Sequence, residues 1–123
     1  MATHHASSGE MIDVRPVKGG LKTMLSKALF KTERLEVSRT VLLAGEEIPT
    51  HQLAGEMTIQ CLEGSIELTA AGATRLMRPG DLICLAGGET HAIKSLQDSS
   101  LLVTMVLHTA TSFDASPHDP ALG

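Results

Sequence analysis

The feature that most constrains the fold of this chain is a period-two alternation of apolar and polar side chains, repeatedly interrupted by glycine. In residues 34–43, RLEVSRTVLL, the side chains of Val37 and Val41 fall on one face of an extended strand, and polar side chains at positions 36, 38 and 40 fall on the other. Gly45 and Pro49 then interrupt the run. This pattern predicts a half-buried strand whose valine-bearing face lies against the core.

The same alternation recurs along the middle of the chain. Residues 57–61 and 66–70 alternate on either side of Glu63-Gly64, which predicts a hairpin. Residues 100–107 are apolar on both faces, as expected of a strand that is covered from two sides. Because no segment of useful length has a helical period, the chain is predicted to form at least eight short strands in an all-β sandwich or barrel. Further turns are expected at the later glycines, Gly72, Gly80, Gly87 and Gly88.

The length of 123 residues suits a single domain, since globular domains commonly contain about 100–150 residues. Residues 1–26 mix small, polar and basic side chains without sustained periodicity, so we expect a flexible N-terminal arm that lies on the domain. The alternating strands place the barrel at residues 27–108. Residues 109–123 are rich in Pro, Asp and small side chains, which is typical of a tail.

Charge and composition exclude several classes of function. The net charge is −4, the basic residues are scattered, and only 2% of residues are aromatic, so we expect no nucleic-acid partner. No apolar run is long enough for a membrane helix, and the N-terminus lacks the pattern of a secretory signal, so we expect no membrane association and a cytoplasmic location. Cys61 and Cys84 lie in apolar runs and are expected to be buried, unpaired thiols.

Two sets of residues have a spacing that carries chemical information. The first set consists of Gly45, five residues, His51, one residue, Leu53, three residues, Met57, six residues and Gly64. The fifteen residues from 65 to 79 separate the first set from the second, which consists of Gly80, five residues, Ala86, one residue, Gly88, two residues, His91, three residues and Ser95. Each set contains one histidine next to a predicted strand.

These sets resemble the two motifs of the cupins, Gly-x5-His-x-His-x3-Glu-x6-Gly and Gly-x5-Pro-x-Gly-x2-His-x3-Asn, including the short linker of small single-domain members. The resemblance covers residues 35–107. It implies a jelly-roll β-barrel in a single domain, commonly a homodimer, with any site inside the mouth of the barrel. Cupin functions range from oxygenases and isomerases to sugar-binding regulators, so the fold alone does not select one.

The resemblance also assigns four positions to metal ligands in metal-binding cupins: two His, one Glu and a further His. Here these positions hold His51, Leu53, Met57 and His91. Leucine cannot bind a metal, and the methionine thioether is a soft donor better suited to Cu(I) than to Fe, Mn, Ni or Zn. We therefore expect no complete metal site and no cofactor.

The favoured hypothesis is that His51 and His91 bind a small organic molecule, acidic or carbonyl-containing, in an apolar pocket inside the barrel. We expect Leu53, Met57 and Cys61 to line that pocket. No catalytic residue can be assigned, so the same pocket suits a binding or sensing module or an enzyme of unrecognised type. A third hypothesis is a structural domain whose barrel is filled by its own side chains.

The alternative hypothesis depends on Glu56, one position before the glutamate position of the motif. Strict alternation directs its side chain out of the barrel, whereas a bulge near Gly55 would turn it inward. His51, Glu56 and His91 would then hold one divalent transition metal ion. Such a site would suit a metal-dependent dioxygenase or isomerase that resembles the quercetin dioxygenase relatives of the cupins.

The remaining histidines lie near the ends of the sequence and need no function. His4, His5 and His118 fall in the predicted arm and tail, and the adjacent pair His4-His5 is expected to bind metal only weakly. His108 follows the last predicted strand and is expected at the surface.

Overall fold

A computed structural model describes residues 5–16 and 20–107 of the chain. Within this part, nine strands form two antiparallel sheets, and the only helical segment is a 3-10 turn at Leu21–Thr23. The all-β prediction is confirmed. The strands are β1 (Lys27–Lys31), β2 (Leu35–Leu42), β3 (Glu47–His51), β4 (Met57–Glu63), β5 (Ile66–Ala70), β6 (Ala73–Met77), β7 (Leu82–Leu85), β8 (His91–Ser95) and β9 (Ser99–Val106).

The two sheets enclose one apolar core. The larger sheet has the strand order β1-β2-β9-β4-β7, and the smaller sheet has the order β3-β8-β5-β6. Consecutive strands are therefore often in different sheets, which is the arrangement of a jelly roll. Core residues come from both sheets, and the most deeply buried apolar side chains are Ile59, Cys61, Ile66, Leu68 and Leu101.

The turn at Glu63-Gly64 connects the two sheets and does not form a hairpin, so this part of the sequence-based interpretation is wrong. β4 pairs with β7 and β9, whereas β5 pairs with β6 and β8. Gly64 has a φ of 81°, and a Cβ atom there would collide with the hydroxyl of Ser99. Glycine is needed because the chain changes sheets in direct contact with the start of β9.

A tight hairpin joins β5 to β6 instead. Ala71 and Gly72 both have positive φ angles, 52° and 77°, as a two-residue type I′ turn requires. The turn predicted at Gly72 is therefore confirmed, with β6 as its second strand.

The orientation of β2 is the reverse of the one expected from its alternation. Ser38 and Thr40 point into the space between the sheets, where they line a cavity. Arg39 lies on the opposite face, where its guanidinium donates hydrogen bonds to the Glu63 carboxylate at 3.0 Å and to the backbone carbonyl of Arg15 at 3.0 Å. The valine-bearing face is covered by the N-terminal segment, so both faces of β2 are half-buried and polarity alone does not distinguish them.

Residues before β1 contact the barrel at several points. Leu21 is buried, and the backbone N–H of Ala6 donates a hydrogen bond to the carbonyl of Leu29 at 2.8 Å. The strands extend from Lys27 to Val106. The predicted tail at residues 109–123, together with His4, His108 and His118, lies outside the described residues. In residues 5–16 and 20–107, no helix has the length and apolar character needed to cross a lipid bilayer.

The two cysteines occupy different environments. Cys61 is fully buried on β4, as predicted, whereas Cys84 is exposed, so the prediction of a buried thiol at position 84 is wrong. Cys84 lies on the outer face of β7, which is an edge strand of the larger sheet. An apolar run is buried on both faces only where both faces are covered, and no described residue covers Cys84 on the outer face of β7.

Candidate ligand-binding cavity

His51 is positioned by a bulge in β3, an edge strand of the smaller sheet. Ile48 pairs with Ile93 and His51 pairs with His91, so three residue steps on β3 match two steps on β8. The extra residue, at Pro49 or Thr50, keeps Ile48 and His51 on the same inner face, where both line the cavity. Proline is tolerated because an edge strand does not require every backbone N–H for pairing, so Pro49 lies within a strand and does not interrupt it.

His91 begins β8 directly opposite His51. It is 2% exposed, and the centroids of the two imidazole rings are 4.3 Å apart with an angle of 55° between the ring planes. The two cupin-like motifs therefore bring their single histidines together as one cross-strand pair.

Backbone carbonyls fix the tautomer of both rings. The Nδ1 atom of His51 lies 3.1 Å from the carbonyl oxygen of Pro49, and the Nδ1 atom of His91 lies 3.2 Å from that of Glu89. A carbonyl oxygen only accepts hydrogen bonds, so each Nδ1 carries a proton and donates it. The Nε2 atom of each neutral ring is consequently left with a free lone pair.

Burial lowers the pKa of His91 below its ordinary value, because removal from water disfavours the charged imidazolium. The neighbouring ring of His51 lowers this pKa further when it is charged, while the carbonyl and the carboxylate of Glu89 act in the opposite direction. The net result favours a neutral His91 with an accepting Nε2 atom.

A cavity of about 180 Å³ lies between the sheets beside this histidine pair. Leu53 and Met57 line it, as predicted from the sequence. Cys61 does not belong to its lining; the thiol lies deeper, 3.5 Å from the Glu63 carbonyl oxygen. The remaining lining residues are Ser38, Thr40, Ile48, Ile59, Ile93, Leu101, Val103 and Met105.

Met105 also lines the cavity and was not predicted from the sequence. It lies outside both motifs, on β9, and its place in the cavity depends on the pairing of β9 with β4, where Met105 is directly opposite Met57. That pairing joins residues far apart in the chain and cannot be read from the sequence. The only signal that Met105 faces inward was its place in the alternation of apolar side chains at Leu101, Val103 and Met105.

The loop between β3 and β4 closes one side of the cavity and is held by the second motif. The backbone N–H of Gly88 donates a hydrogen bond to the carbonyl of Leu53 at 2.8 Å. A Cβ atom at Gly87 would collide with the carbonyl oxygen of Ala54. Glycine at position 87 therefore permits the close contact that keeps Leu53 beside the cavity.

Glu56 is exposed on the outer face of the larger sheet and does not come together with the histidine pair. The irregularity near the histidines occurs in β3, so the alternation at the start of β4, over residues 57–60, is undisturbed and Glu56 lies on the same side as Thr58. It borders a depression of about 370 Å³ that also includes Cys84 and Thr104. This outer depression is larger than the cavity, but none of its lining residues within the described part of the chain is a histidine.

The donor groups around the cavity do not match the ligand set of a metal-binding cupin. Among the residues that the structure describes, no three His, Cys, Asp or Glu side chains converge to hold a metal ion. The cavity has two imidazoles and no carboxylate among its lining residues. The three-residue set of His51, Glu56 and His91 is not assembled.

Comparisons with known proteins agree with this architecture. No protein-family model and no curated protein matches the sequence. A conserved protein of unknown function from Streptococcus pyogenes is 23% identical, with a TM-score of 0.69 over 89% of this chain and 99% of that one. A cupin superfamily protein from Desulfitobacterium hafniense is 22% identical, with a TM-score of 0.65 over 68% of this chain and 76% of that one.

An RmlC-like cupin family protein with a double-stranded β-helix fold, from Methanocaldococcus jannaschii, is 20% identical, with a TM-score of 0.64 over 80% of this chain and 93% of that one. Likeness at this level of identity shows the fold. The chain is therefore a small jelly-roll protein with the cupin fold, as the resemblance of its two motifs to those of the cupins implied.

Proposed function

We propose that this protein binds a small organic molecule, an acid or a carbonyl compound, inside its barrel through His51 and His91. The observation that carries the proposal is the pairing of two imidazoles whose Nδ1 atoms are both bonded to backbone carbonyls, beside a largely apolar cavity. Both Nε2 atoms remain available to a ligand. A few convergent polar groups in an apolar cavity are typical of small-molecule sites.

The size of the cavity limits the ligand. A volume of about 180 Å³ is smaller than the roughly 300–1,000 Å³ of pockets that enclose drug-sized molecules. The ligand is thus a compact molecule with a short apolar part and one or two oxygen atoms.

The chemistry of the histidines favours oxygen-rich ligands that exchange protons. A neutral Nε2 atom accepts a hydrogen bond from an undissociated carboxylic acid or an enol, and a protonated ring donates one to a carboxylate or carbonyl oxygen. The hydroxyl of Thr40 lines the same cavity and adds a donor for a second oxygen, whereas the Ser38 hydroxyl donates to the Glu36 carboxylate at 3.1 Å. The aliphatic lining accounts for recognition of a short hydrocarbon portion.

We further propose that the protein is a cytoplasmic homodimer. Cys61 and Cys84 are unpaired thiols, which suits a reducing compartment. Leu82 and Val106 are 58% and 42% exposed on the outer face of the larger sheet, and a second copy would cover them. Light scattering at micromolar concentration is expected to give twice the chain mass; a monomer would refute the dimer.

The binding proposal is tested by calorimetry with formate, acetate, propionate and pyruvate on the wild type and on His51→Asn/His91→Asn. An Asn amide can replace Nδ1 as the donor to the backbone carbonyl but provides no group at the Nε2 position. We expect one binding site per chain, and at least roughly tenfold weaker binding by the double variant, because hydrogen bonds to charged groups contribute about 1.5–3 kcal/mol.

The matched control is His5→Asn, which changes an exposed histidine remote from the cavity. It is expected to bind the acids as the wild type does. Equal affinities for the wild type and the double cavity variant would overturn the proposal, as would the absence of binding by every compound of the set.

A further inference from the structure

A second cavity, which we call the arm pocket, lies between the N-terminal segment and the outer face of the larger sheet. Its volume is about 240 Å³, and within the described part of the chain it shares no lining residue with the cavity beside the histidine pair. Carboxylates line it from the N-terminal segment, and cations line it from β1 and β2. Its charged and buried lining residues include Glu10, Asp13, Met24, Lys27, Leu29 and Arg39.

The buried guanidinium of Arg39 brings an unsatisfied donor to the arm pocket. The side chain is 4% exposed, and its Nη2 atom donates to the Glu63 carboxylate and to the carbonyl of Arg15. The Nε–H group has no acceptor among the residues that the structure describes. Because a buried N–H without an acceptor is costly, a ligand that brings an oxygen atom to Nε gains a favourable contact.

Lys27 places a second cation beside Arg39. The two residues are directly opposite each other in the β1–β2 ladder, and both line the arm pocket. Like charges in directly opposed positions destabilise a sheet. Glu63 compensates Arg39 at 3.0 Å, but it belongs to the end of β4 and is not a lining residue of the pocket. The Lys27–Arg39 pair therefore suits a carboxylate that binds between its two cations.

The N-terminal segment gives the same pocket a negative side, since Glu10 and Asp13 both line it. Asp13 accepts both of its hydrogen bonds from Arg15 through one oxygen, Oδ1, at 2.9 Å. The Arg15 side chain lowers the pKa of Asp13, so this carboxylate is ionised at neutral pH. A simple anion is repelled by such a lining, whereas an ammonium group is attracted to it.

We propose that the arm pocket binds a small zwitterion, a free α-amino acid with an aliphatic side chain. The ligand carboxylate accepts hydrogen bonds from Arg39 Nε and from the Lys27 ammonium group. The ligand ammonium group lies toward the carboxylates of Glu10 and Asp13.

The apolar lining and the volume limit this ligand further. Met24 and Leu29 provide contacts for an aliphatic side chain. A volume of about 240 Å³ lies below the roughly 300–1,000 Å³ of pockets for drug-sized molecules, so a single amino acid fits better than a peptide. The site uses neither His51 nor His91, so it does not depend on the function proposed for the barrel cavity.

The test is calorimetry of the full chain at pH 7 with L-leucine and L-valine, and with two analogues of leucine. N-acetyl-L-leucine lacks the ammonium group, and L-leucinamide lacks the carboxylate. We expect one leucine per chain. Each analogue is expected to bind at least roughly tenfold more weakly, because hydrogen bonds to ionised groups are about twice as strong as neutral ones.

The decisive variant is Lys27→Gln, which removes one cation from an exposed position of β1 and leaves Arg39 and its bonds in place. Its affinity for leucine is expected to fall by at least roughly tenfold, since a charge-assisted hydrogen bond is lost. The matched control is Lys31→Gln, which removes the same charge from the other end of β1, outside the pocket lining, and is expected to bind leucine as the wild type does.

Nitrogen-15 NMR of the arginine side chains locates the ligand. The Nε–H signal of Arg39, identified by its loss in the Arg39→Lys spectrum, is expected to shift when leucine binds. An unchanged Arg39 signal while leucine binds would overturn the inference. Equal leucine affinities of the wild type and Lys27→Gln would also overturn it, and so would equal affinities for leucine and N-acetyl-L-leucine, or no binding of either amino acid.

The variant His51→Asn/His91→Asn separates this inference from the proposed function. It is expected to bind leucine as tightly as the wild type while it loses affinity for the small acids. Leucine binding in a series of proteins that bind none of the small acids supports the arm pocket and overturns only the barrel ligand. Leucine binding that is lost in the double histidine variant would assign leucine to the barrel cavity and overturn the arm pocket.

Discussion

Protonation of His91 is expected to destabilise the folded protein, because its ring is buried against a second imidazole. Burial is the main cause of the lowered pKa of His91 in the folded chain, and His51 contributes further. In the unfolded chain the same residue has an ordinary pKa of about 6.5. Between these two pKa values the unfolded state binds one more proton than the folded state.

The direction and limit of the effect follow from this difference. The contribution of neutral His91 to stability is complete above about pH 6.5 and is lost as the pH falls through the lower pKa of the folded state. One proton of difference gives a slope of at most about 1.4 kcal/mol per pH unit. Since small domains have unfolding free energies of about 5–15 kcal/mol, this slope is measurable.

Urea denaturation between pH 5 and 8 measures the effect, with His91→Asn as the comparison. The Asn side chain does not titrate, so the difference in unfolding free energy between wild type and variant is expected to be constant above pH 7. At lower pH the wild type is expected to lose stability relative to the variant. The exposed control His5→Asn is expected to follow the wild type throughout. Parallel pH profiles of wild type and His91→Asn would refute the buried, neutral state of His91.

Three other experiments test individual contacts and the burial of side chains in the barrel. Gly87→Ala forces a Cβ atom into the facing loop, so urea denaturation is expected to show a loss of about 1–3 kcal/mol and calorimetry a weaker acid affinity; unchanged values would contradict the contact. Arg39→Met leaves the partly buried Glu63 carboxylate without its cation and is expected to cost about 3 kcal/mol, whereas a neutral result would show that the pair is solvated. With an aromatic disulfide reagent, Cys84 is expected to react rapidly and Cys61 only after denaturation, because burial hides the Cys61 thiol and raises its pKa. Two thiols that react rapidly in the native protein would contradict this.

The fold was predictable because period-two alternation and glycine turns are local signals. The resemblance of the two motifs to those of the cupins implied the jelly-roll topology. What the sequence did not specify was which sheet each strand joins: β4 and β5 are adjacent in sequence, yet they pair with different partners. The face of β2 was also assigned in reverse, because Ser38 and Thr40 line a cavity while the opposite face is covered by residues that precede β1.

The histidine pair was predictable for a different reason. The resemblance to the cupin motifs implied that His51 and His91 lie at the mouth of the barrel, and the structure brings their ring centroids to 4.3 Å from each other. Met105 was not predictable, since its position depends on the register between β4 and β9, which are separated in the chain by residues 64–98. The bulge that sets the inward face of His51 lies at Pro49 or Thr50, where the sequence had suggested only an interruption of the strand.

Nitrogen-15 NMR of the histidine rings tests the central claim most directly, because it reports the tautomer and the ligand contact of each ring. At pH 8, without ligand, the account predicts that His51 and His91 both carry their proton on Nδ1. When formate or pyruvate is added at pH 6, both Nε2 resonances are expected to shift, because a ring donates to a carboxylate only when its Nε2 atom is protonated. The assignments follow from the His51→Asn and His91→Asn spectra. A proton on Nε2 of either ring in the free protein at pH 8, or Nε2 resonances that stay unchanged while the acid binds at pH 6, would contradict the account.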